Sequence, residues 1–274
     1  MKTILITGIN GFIGTSLFNA LNKEHVIYGI SRRNVGLPNC SVLDLTERER
    51  TVRFFESNQF DIVVHTAMIL ANPDNKADLV AFFQNVTIET NLLEALMKQK
   101  QCHLINFSSS AVYPNVDGHF GENDIIDPSV NGDGLYGLAK FNGEMLFKHL
   151  LPSHVRQLHL RVGFVYGKGM YLTRIHEQFK RELLEKNTIT VFGNGKRTIP
   201  QIKINSLVEK LRFFINHSTE GTYNVADENI SLEKLAQNLI EKYGNAESRI
   251  LYVEKGNQYQ FGLKLRKLNE LLNV

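Results

Sequence analysis

Residues 3–14 read TILITGINGFIG, and this stretch decides the fold that the sequence predicts. Its first five residues are apolar or β-branched and predict a short buried strand. Three glycines follow at three-residue spacing, Gly8, Gly11 and Gly14, and residues 12–23 carry the apolar period of a helix. A strand, a glycine-rich turn and a helix in this order are typical of the start of a βαβ unit.

The glycine turn has a physical use at such a place. Gly8 permits the tight turn, Gly11 lets the backbone approach a pyrophosphate, and Gly14 lets the helix pack closely on the sheet. The N-terminus of the helix favours negative charge. Incidental glycines in a strand–turn–helix are the alternative, but the position on the first strand favours a dinucleotide site. The predicted contact residues are Gly8, Asn10, Gly11, Phe12, Ile13 and Gly14.

The end of the second predicted strand indicates which dinucleotide is bound. An NAD site usually has Asp or Glu there, about 20 residues beyond the glycine turn, to bind the ribose hydroxyls. This chain has Ser31, followed by Arg32 and Arg33. Arginine can bind a 2′-phosphate with two parallel hydrogen bonds, so the sequence favours NADP, with NAD as the alternative. Solvated surface charge is the other interpretation of the arginines. Asp44 and Leu45, after the next apolar run, are expected to flank the adenine.

Strands and helices alternate through the first 165 residues. Uninterrupted apolar strands fit a sheet that is covered on both faces, and the alternation predicts an α/β fold with a doubly wound parallel sheet. The predicted strands are 3–7, 25–30, 61–67, 103–109 and 157–167, and the predicted helices are 12–23, 46–57 with Thr46 as its cap, 80–100 and 135–151.

After Gly167 the rhythm loosens, and a smaller mixed α/β lobe is expected at the C-terminal end. We predict a dinucleotide-binding domain over residues 1–166. Residues 167–274 are expected to form mainly a substrate-binding lobe, with segments that return to the first domain. The predicted helices here are 176–186, 205–217 and 231–243, and the predicted strands are 189–193 and 221–226.

Composition excludes several other classes of function. The net charge is only +3, with 31 basic and 28 acidic residues and no basic block, so no nucleic-acid partner is expected. No stretch approaches the ~18 apolar residues of a membrane span. Cys40 and Cys102 have no metal-type spacing and suggest a reducing compartment, so a cytoplasmic location is expected. The nine histidines show no metal spacing either, and no metal is predicted.

A tyrosine and a lysine four residues apart, Tyr136 and Lys140, lie in the helix of residues 135–151. Residues at this spacing share a helix face. A phenol has an unperturbed pKa of about 10, and a nearby ammonium moves it toward neutral pH. An isolated pair of this kind is usually on the surface. The upstream serine cluster at 108–110 and the glycine turn favour one proton-transfer unit instead.

With these pieces in order, the chain resembles the extended short-chain dehydrogenase/reductase family of the NAD-dependent epimerase/dehydratase type, along nearly its whole length. The resemblance implies a Rossmann-type sheet. The matching stretches are TGINGFIG (7–14), DL (44–45), VVHTA (63–67), NVTIETNLLEA (85–95), FSSSAVYP (107–114), YGLAK (136–140), LRVGFVYG (160–167) and GTYNVAD (221–227).

The resemblance implies roles for particular residues. Tyr136 would be the general acid or base on a carbonyl or alcohol, and Lys140 would bind the nicotinamide ribose and lower the tyrosine pKa. Ser109 would hold the substrate oxygen, with Ser110 beside it in the substrate site; the active serine could also be the neighbour on either side.

Further family features concern cofactor, partner and substrate. Thr66 and Ala67 would line the cofactor channel, and the helices 80–100 and 135–151 would pair across a homodimer. The expected substrate is a small molecule, a nucleotide-diphosphate sugar, and Lys196 with Arg197 could meet its diphosphate. The chain departs from the family where substrate is gripped, since Phe164 and Ile199 stand where Asn and Arg are common.

Family patterns also separate the possible reactions. A 4,6-dehydratase typically has Asp-Glu directly after the active serine, where this chain has Ser110-Ala111. A 3,5-epimerase-reductase typically has a cysteine two residues before the tyrosine of the VY pair, where this chain has Ala111. Neither reaction is therefore expected. The remaining hypotheses are reduction of a 4-keto group by NADPH and 4-epimerisation with tightly bound NAD. A non-catalytic NADP-binding regulatory protein is a third, disfavoured because Ser109, Tyr136 and Lys140 are intact.

Overall fold

A computed structural model of the chain describes residues 1–70, 78–130 and 134–273. Strands and helices alternate through the first part, as the sequence predicts. The strands are β1 (Thr3–Thr7), β2 (Val26–Ser31), β3 (Cys40–Val42), β4 (Ile62–His65), β5 (Cys102–Ser109), β6 (Gly118–Phe120), β7 (Val155–Val162), β8 (Phe164–Tyr166), β9 (Thr188–Phe192), β10 (Thr198–Lys203), β11 (Gly221–Val225), β12 (Glu228–Ser231), β13 (Arg249–Val253) and β14 (Phe261–Leu263).

Eight α-helices accompany these strands in the described residues, with short 3-10 turns at Ser110–Val112 and Pro128–Val130. The helices are α1 (Phe12–Leu21), α2 (Arg48–Ser57), α3 (Leu79–Leu96), α4 (Leu135–Leu150), α5 (Ile175–Lys186), α6 (Ile204–His217), α7 (Leu232–Tyr243) and α8 (Arg266–Leu272). None of the helices in the described ranges is long and apolar enough to cross a membrane.

Seven strands form the main sheet in the order β11-β7-β5-β4-β1-β2-β3, which confirms the predicted α/β fold. Every pairing from β7 to β3 along this order is parallel. Thr7 pairs with His65, and His65 pairs with Asn106, so the carboxyl ends of β1, β4 and β5 meet at one edge. Ligands of open parallel sheets bind at this edge.

Both faces of the sheet are covered. All four residues of β4 are buried, and so are the first seven of β5. Leu5, Val63 and Leu104 lie on neighbouring strands and belong to one apolar cluster with residues of α2, α3 and α4. The continuous apolar strands in the sequence are therefore explained by burial on both sides.

Smaller sheets lie in the C-terminal part, as predicted for a mixed lobe. In the three-stranded sheet, β10 runs antiparallel to β12 and parallel to β8. Two further pairs, β9 with β13 and β6 with β14, are parallel. A separate apolar cluster joins α5, β9 and α7 through residues that include Phe179, Val191 and Leu235.

The chain divides into two compact units that are not continuous in sequence. The first contains residues 1–114, 126–162 and 208–223. The second contains residues 115–125, 163–207 and the chain from Asn224 onward. The division into a domain of residues 1–166 and a lobe of residues 167–274 stays a prediction.

Candidate active site

The glycine turn connects β1 to α1 in a tightly constrained conformation. Gly8 has a φ of +69°, which favours glycine, and a Cβ on it would be 3.0 Å from the backbone of Ala67. Gly11 is the N-cap of α1, and its N–H donates to the Gly8 carbonyl at 2.9 Å. A Cβ on Gly14 would collide with that same carbonyl. Because Gly8, Gly11 and Gly14 have no side chains, a pyrophosphate can approach the backbone at the N-terminus of α1.

The other predicted loop residues lie on the same turn. Asn10 is exposed, while Phe12 and Ile13 are half-buried in the first turn of α1. The Thr15 hydroxyl donates to the Ile9 carbonyl at 3.0 Å and fixes the loop against the helix. The backbone of the turn is therefore held by its own hydrogen bonds.

The ends of β1 and β4 are joined through Thr7. The Thr66 hydroxyl donates to the Thr7 carbonyl at 2.7 Å. The backbone N–H groups of Thr66 and Ala67 both donate to Thr7 Oγ1 at 3.2 Å. The predicted cofactor-channel residues Thr66 and Ala67 therefore lie beside Gly8, as a sheet with adjacent parallel β1 and β4 requires.

The predicted ribose end of the site follows β2. Ser31 is buried, and its Oγ accepts a hydrogen bond from the Arg33 N–H at 3.2 Å. Arg32 and Arg33 are both exposed. Their guanidinium groups are accessible to an anion next to the end of β2.

The residues predicted near the adenine behave differently from each other. Asp44 is half-buried, and its Oδ1 accepts hydrogen bonds from the backbone N–H and the hydroxyl of Thr46 at 2.9 and 2.8 Å. The Leu45 side chain is buried in the main apolar cluster. Its carbonyl accepts a hydrogen bond from Asn91 Nδ2 at 2.8 Å. The Leu45 side chain is therefore not accessible to a ligand, whereas Asp44 is partly exposed.

The predicted catalytic residues lie on two adjoining elements. Tyr136 and Lys140 are on α4, and Ser109 ends β5. Lys140 is only 3 % exposed, and its Nζ donates to the Phe107 carbonyl of β5 at 2.6 Å. This hydrogen bond holds the helix that carries Tyr136 against the strand that carries Ser109.

Tyr136 is half-buried and lines a small recess between α3 and α4. Asn85 lies in the same recess, and its amide forms two hydrogen bonds with the backbone of Ile69. These bonds fix the chain that follows β4. The lining residues are Ile69, Asp78, Ala81, Phe82, Asn85, Leu135 and Tyr136.

The three neighbouring serines have different surroundings. Ser108 is buried, and its hydroxyl donates to Glu144. Ser109 is half-buried and accepts a hydrogen bond from the Ala111 N–H at 3.1 Å, which leaves its own proton able to donate. Ser110 is half-buried in the following 3-10 turn, where its carbonyl accepts from the Tyr113 N–H.

A buried ion pair lies beneath these residues. Arg161 of β7 donates to both carboxylate oxygens of Glu144, with distances of 2.7 to 3.2 Å. It also donates to the Tyr113 hydroxyl at 2.8 Å. Burial alone would lower the pKa of Arg161, but the hydrogen bonds and charge of Glu144 raise it above its ordinary value. Arg161 therefore keeps its charge in the interior.

Lys140 is a second buried cation. Burial lowers the pKa of its ammonium from the ordinary value, whereas the carboxylates of Glu89 and Glu144 oppose that change. Sequence reasoning missed Asn85, Glu89, Glu144 and Arg161. Of these, Glu144 had a detectable signal, because it follows Lys140 at the same four-residue spacing that links Lys140 to Tyr136.

The predicted diphosphate contacts lie in the second unit. Lys196 is exposed in the turn after β9, and its N–H donates to Asn194 Oδ1 at 3.0 Å. The Arg197 guanidinium lies 5.5 Å from the centroid of the Tyr259 ring. Phe164, where the family pattern often has Asn, stacks on His176 at 5.0 Å between ring centroids.

Comparison with known proteins gives a consistent result. The model of the NAD-dependent epimerase/dehydratase family matches residues 4–226. The dTDP-D-glucose 4,6-dehydratase of Dictyostelium discoideum is 26 % identical over 275 residues, covering 88 % of this chain and 62 % of that protein. The L-arabinose 1-dehydrogenase (NAD(P)(+)) of Haloferax volcanii is 28 % identical over 177 residues, covering 60 % and 68 %. The chain spans less than two thirds of the first of these relatives.

Solved structures share the fold. UDP-glucose 4-epimerase from Thermotoga maritima, solved with UDP-glucose, has a TM-score of 0.81 at 19 % identity, covering 98 % of this chain and 91 % of that one. A variant of UDP-glucuronic acid 4-epimerase from Bacillus cereus was solved with UDP-4-deoxy-4-fluoro-glucuronic acid and NAD. It has a TM-score of 0.83 at 21 % identity, covering 99 % and 93 %.

Proposed function

The chain belongs to the NAD-dependent epimerase/dehydratase family, and on this premise we propose that it is an NADP-dependent oxidoreductase that reduces the 4-keto group of a nucleotide-diphosphate sugar. The observation that carries the proposal is the hydrogen bond from Lys140 of α4 to Phe107 of β5, because it joins the helix that carries Tyr136 to the strand that ends at Ser109. The glycine turn lies at the same carboxyl edge of the sheet. A proton donor and a dinucleotide site at one edge are what carbonyl reduction needs.

Each residue has a defined task in this reaction. A cofactor held at the glycine turn would supply the hydride for the carbonyl carbon. The Tyr136 hydroxyl donates its proton to the carbonyl oxygen, so that the ketone becomes an alcohol, and Ser109 donates a hydrogen bond to the same oxygen. The Lys140 ammonium stabilises the phenolate that Tyr136 leaves behind.

Ser109 is the better candidate for the substrate hydroxyl than Ser108. The hydroxyl of Ser108 already donates to the buried Glu144 carboxylate, so it has no proton left for a substrate. Ser109 accepts from Ala111 and keeps its proton. Ser110, in the next turn, would lie at the edge of the substrate site, and Lys196 with Arg197 would bind the diphosphate.

Two exposed arginines favour NADP over NAD. Ser31 stands where a carboxylate would repel a 2′-phosphate, and Arg32 and Arg33 are exposed directly after it. A charge-assisted pair with phosphate contributes roughly 1.5–3 kcal/mol, which corresponds to about tenfold or more in affinity.

Fluorescence titration with NADPH and NADH tests the cofactor assignment. We expect the wild type to bind NADPH about tenfold or more tightly than NADH. The double variant Arg32→Ser/Arg33→Ser should lose that difference by weakening NADPH binding alone. Arg53→Ser is a matched control, since Arg53 is also exposed but lies on α2. A wild-type preference for NADH would contradict the assignment.

A nucleotide-sugar 4-epimerase is the second candidate. It is favoured by two solved structures with the same fold that are 4-epimerases, one of which was solved with NAD. An epimerase returns its hydride to the same substrate and can therefore retain its cofactor. Nucleotide released by denaturing the purified protein would distinguish the two, because stoichiometric NAD favours the epimerase and empty protein favours the reductase.

A further inference from the structure

A glutamate in the middle of α3 is completely buried. Glu89 has no exposed surface, and no hydrogen bond among the described residues reaches either of its carboxylate oxygens. Its carboxylate lies against Gly143 of α4: a Cβ on Gly143 would be 2.8 Å from Glu89 Cδ and 3.0–3.1 Å from its oxygens. Gly143 follows Lys140 by three residues and shares its helix face. The missing side chain at Gly143 makes room for the Glu89 carboxylate against the face of α4 that also carries Lys140.

One of the two buried carboxylates in this interior is already bound by other groups. Glu144 accepts three N–H···O contacts from Arg161 and one hydrogen bond from the Ser108 hydroxyl. Lys140 has a hydrogen bond to a neutral carbonyl, that of Phe107. A buried ammonium without a counter-ion tends to lose its proton. Glu89 is the carboxylate that remains to balance Lys140.

A histidine lies on the other side of Glu89. Thr7 Oγ1 accepts hydrogen bonds from the N–H groups of Thr66 and Ala67, so its own proton donates to His65 Nδ1 at 2.8 Å. The ring proton is then on Nε2, which faces Glu89 Oε2 at 3.5 Å. Glu89 thus lies near the ends of β1 and β4 beside the glycine turn.

We propose that Glu89 is a positioning residue whose carboxylate is the buried counter-ion that keeps the Lys140 ammonium charged. The use of that charge by Tyr136 rests on the proposed function, whereas the charge itself does not. Consistently, the pKa of Glu89 lies below its ordinary value. Burial raises this pKa, but His65 and Lys140 together lower it by more than burial raises it. The titratable groups around Glu89 and Lys140 are His65 on β4, Tyr136 and Glu144 on α4, and His159 and Arg161 on β7, with Tyr113 bound to Arg161.

NMR titration of protein labelled with ¹³C at lysine Cε measures the charge of Lys140 directly, and Lys140→Met assigns its signal. We expect Lys140 to be an ammonium at pH 7 in the wild type, and Glu89→Gln to lower its pKa by about one unit or more. Glu94→Gln is the matched control, because Glu94 lies on the same helix but pairs with Arg48 at the surface, and it should leave the pKa of Lys140 unchanged.

Two results would overturn the assignment: a neutral Lys140 at pH 7 in the wild type, or an unchanged pKa in Glu89→Gln. The first needs no variant, so the inference is testable even if Glu89→Gln does not fold. NADPH titration on the same samples separates the two proposals. If Glu89→Gln leaves the pKa of Lys140 unchanged while NADPH still binds, the role of Glu89 is overturned and the proposed function is not. If the pKa of Lys140 shifts but neither NADPH nor NADH binds, the proposed function is overturned and the role of Glu89 is not.

Discussion

His103, on β5, has a charge state that burial controls. The residue is 1 % exposed, and burial together with the charge of Arg156 lowers its pKa to about 4. In the unfolded chain its pKa is about 6.5. The native state therefore binds fewer protons than the unfolded state between these two pH values. It follows that this residue removes stability as the pH falls from 6.5 toward 4.

Replacing His103 with leucine should make the protein less sensitive to acid. Between pH 7 and 4 we expect the wild-type free energy of unfolding to fall by on the order of 2–3 kcal/mol more than that of His103→Leu. Urea unfolding at a series of pH values measures the difference. The exposed His154 provides the control, and His154→Leu should follow the wild type. Parallel pH profiles for the wild type and His103→Leu would contradict the account.

Some residues of the candidate site can be identified from the sequence alone, and others cannot. Tyr136 and Lys140 stand out because their spacing has a chemical meaning on a helix. The sequence could not show whether Ser108 or Ser109 is the active serine, because that depends on which hydroxyl binds Glu144 after folding. Glu89 was missed because a lone glutamate on a helix is usually solvated.

At the scale of elements, α3 and α4 pack closely where Glu89 meets Gly143. We expect Gly143→Ala to reduce the free energy of unfolding by about 1–3 kcal/mol, because its methyl group would overlap the Glu89 carboxylate. In a Glu89→Ala background the space is free, and the same change should be neutral or stabilising by up to about 1 kcal/mol, the helix preference for alanine over glycine.

Thermal or urea unfolding of the four proteins in this cycle measures the coupling between the two positions. Glu94→Ala replaces Glu89→Ala in the control cycle, and there the effects should add because Glu94 lies at the surface. Additive effects of Glu89→Ala and Gly143→Ala would show that the two side-chain positions do not compete for space.

Element boundaries followed local chemistry that the apolar pattern does not record. The prediction that Thr46 caps α2 was wrong: the helix begins at Arg48 after Glu47, because the N–H and hydroxyl of Thr46 are both bound by Asp44. The apolar strands β1, β4 and β5 were found close to their predicted bounds. Strand β13 was missed although residues 250–253 form a short apolar run, and most of its residues are exposed rather than buried in a core.

At the scale of the whole molecule, the ordered motifs predicted the family, and the alternation of strands and helices predicted the parallel sheet. The division into two units was less visible. Residues 115–125 belong to the second unit and 208–223 to the first, and no change in composition marks these crossings. The homodimer through the helices predicted at 80–100 and 135–151 stays a prediction.

Single-turnover oxidation of bound NADPH, followed by nicotinamide absorbance, tests both the proposed reduction and the role of Tyr136 in it. The substrates are 4-keto sugars linked to UDP and dTDP. We predict oxidation by the wild type and by Tyr243→Phe, a control on α7 that is 38 % exposed. Tyr136→Phe should bind NADPH equally but react about 10²- to 10⁴-fold more slowly, because the proton donor is lost. An unchanged rate in Tyr136→Phe, or no oxidation by the wild type with any of these sugars, would contradict the account.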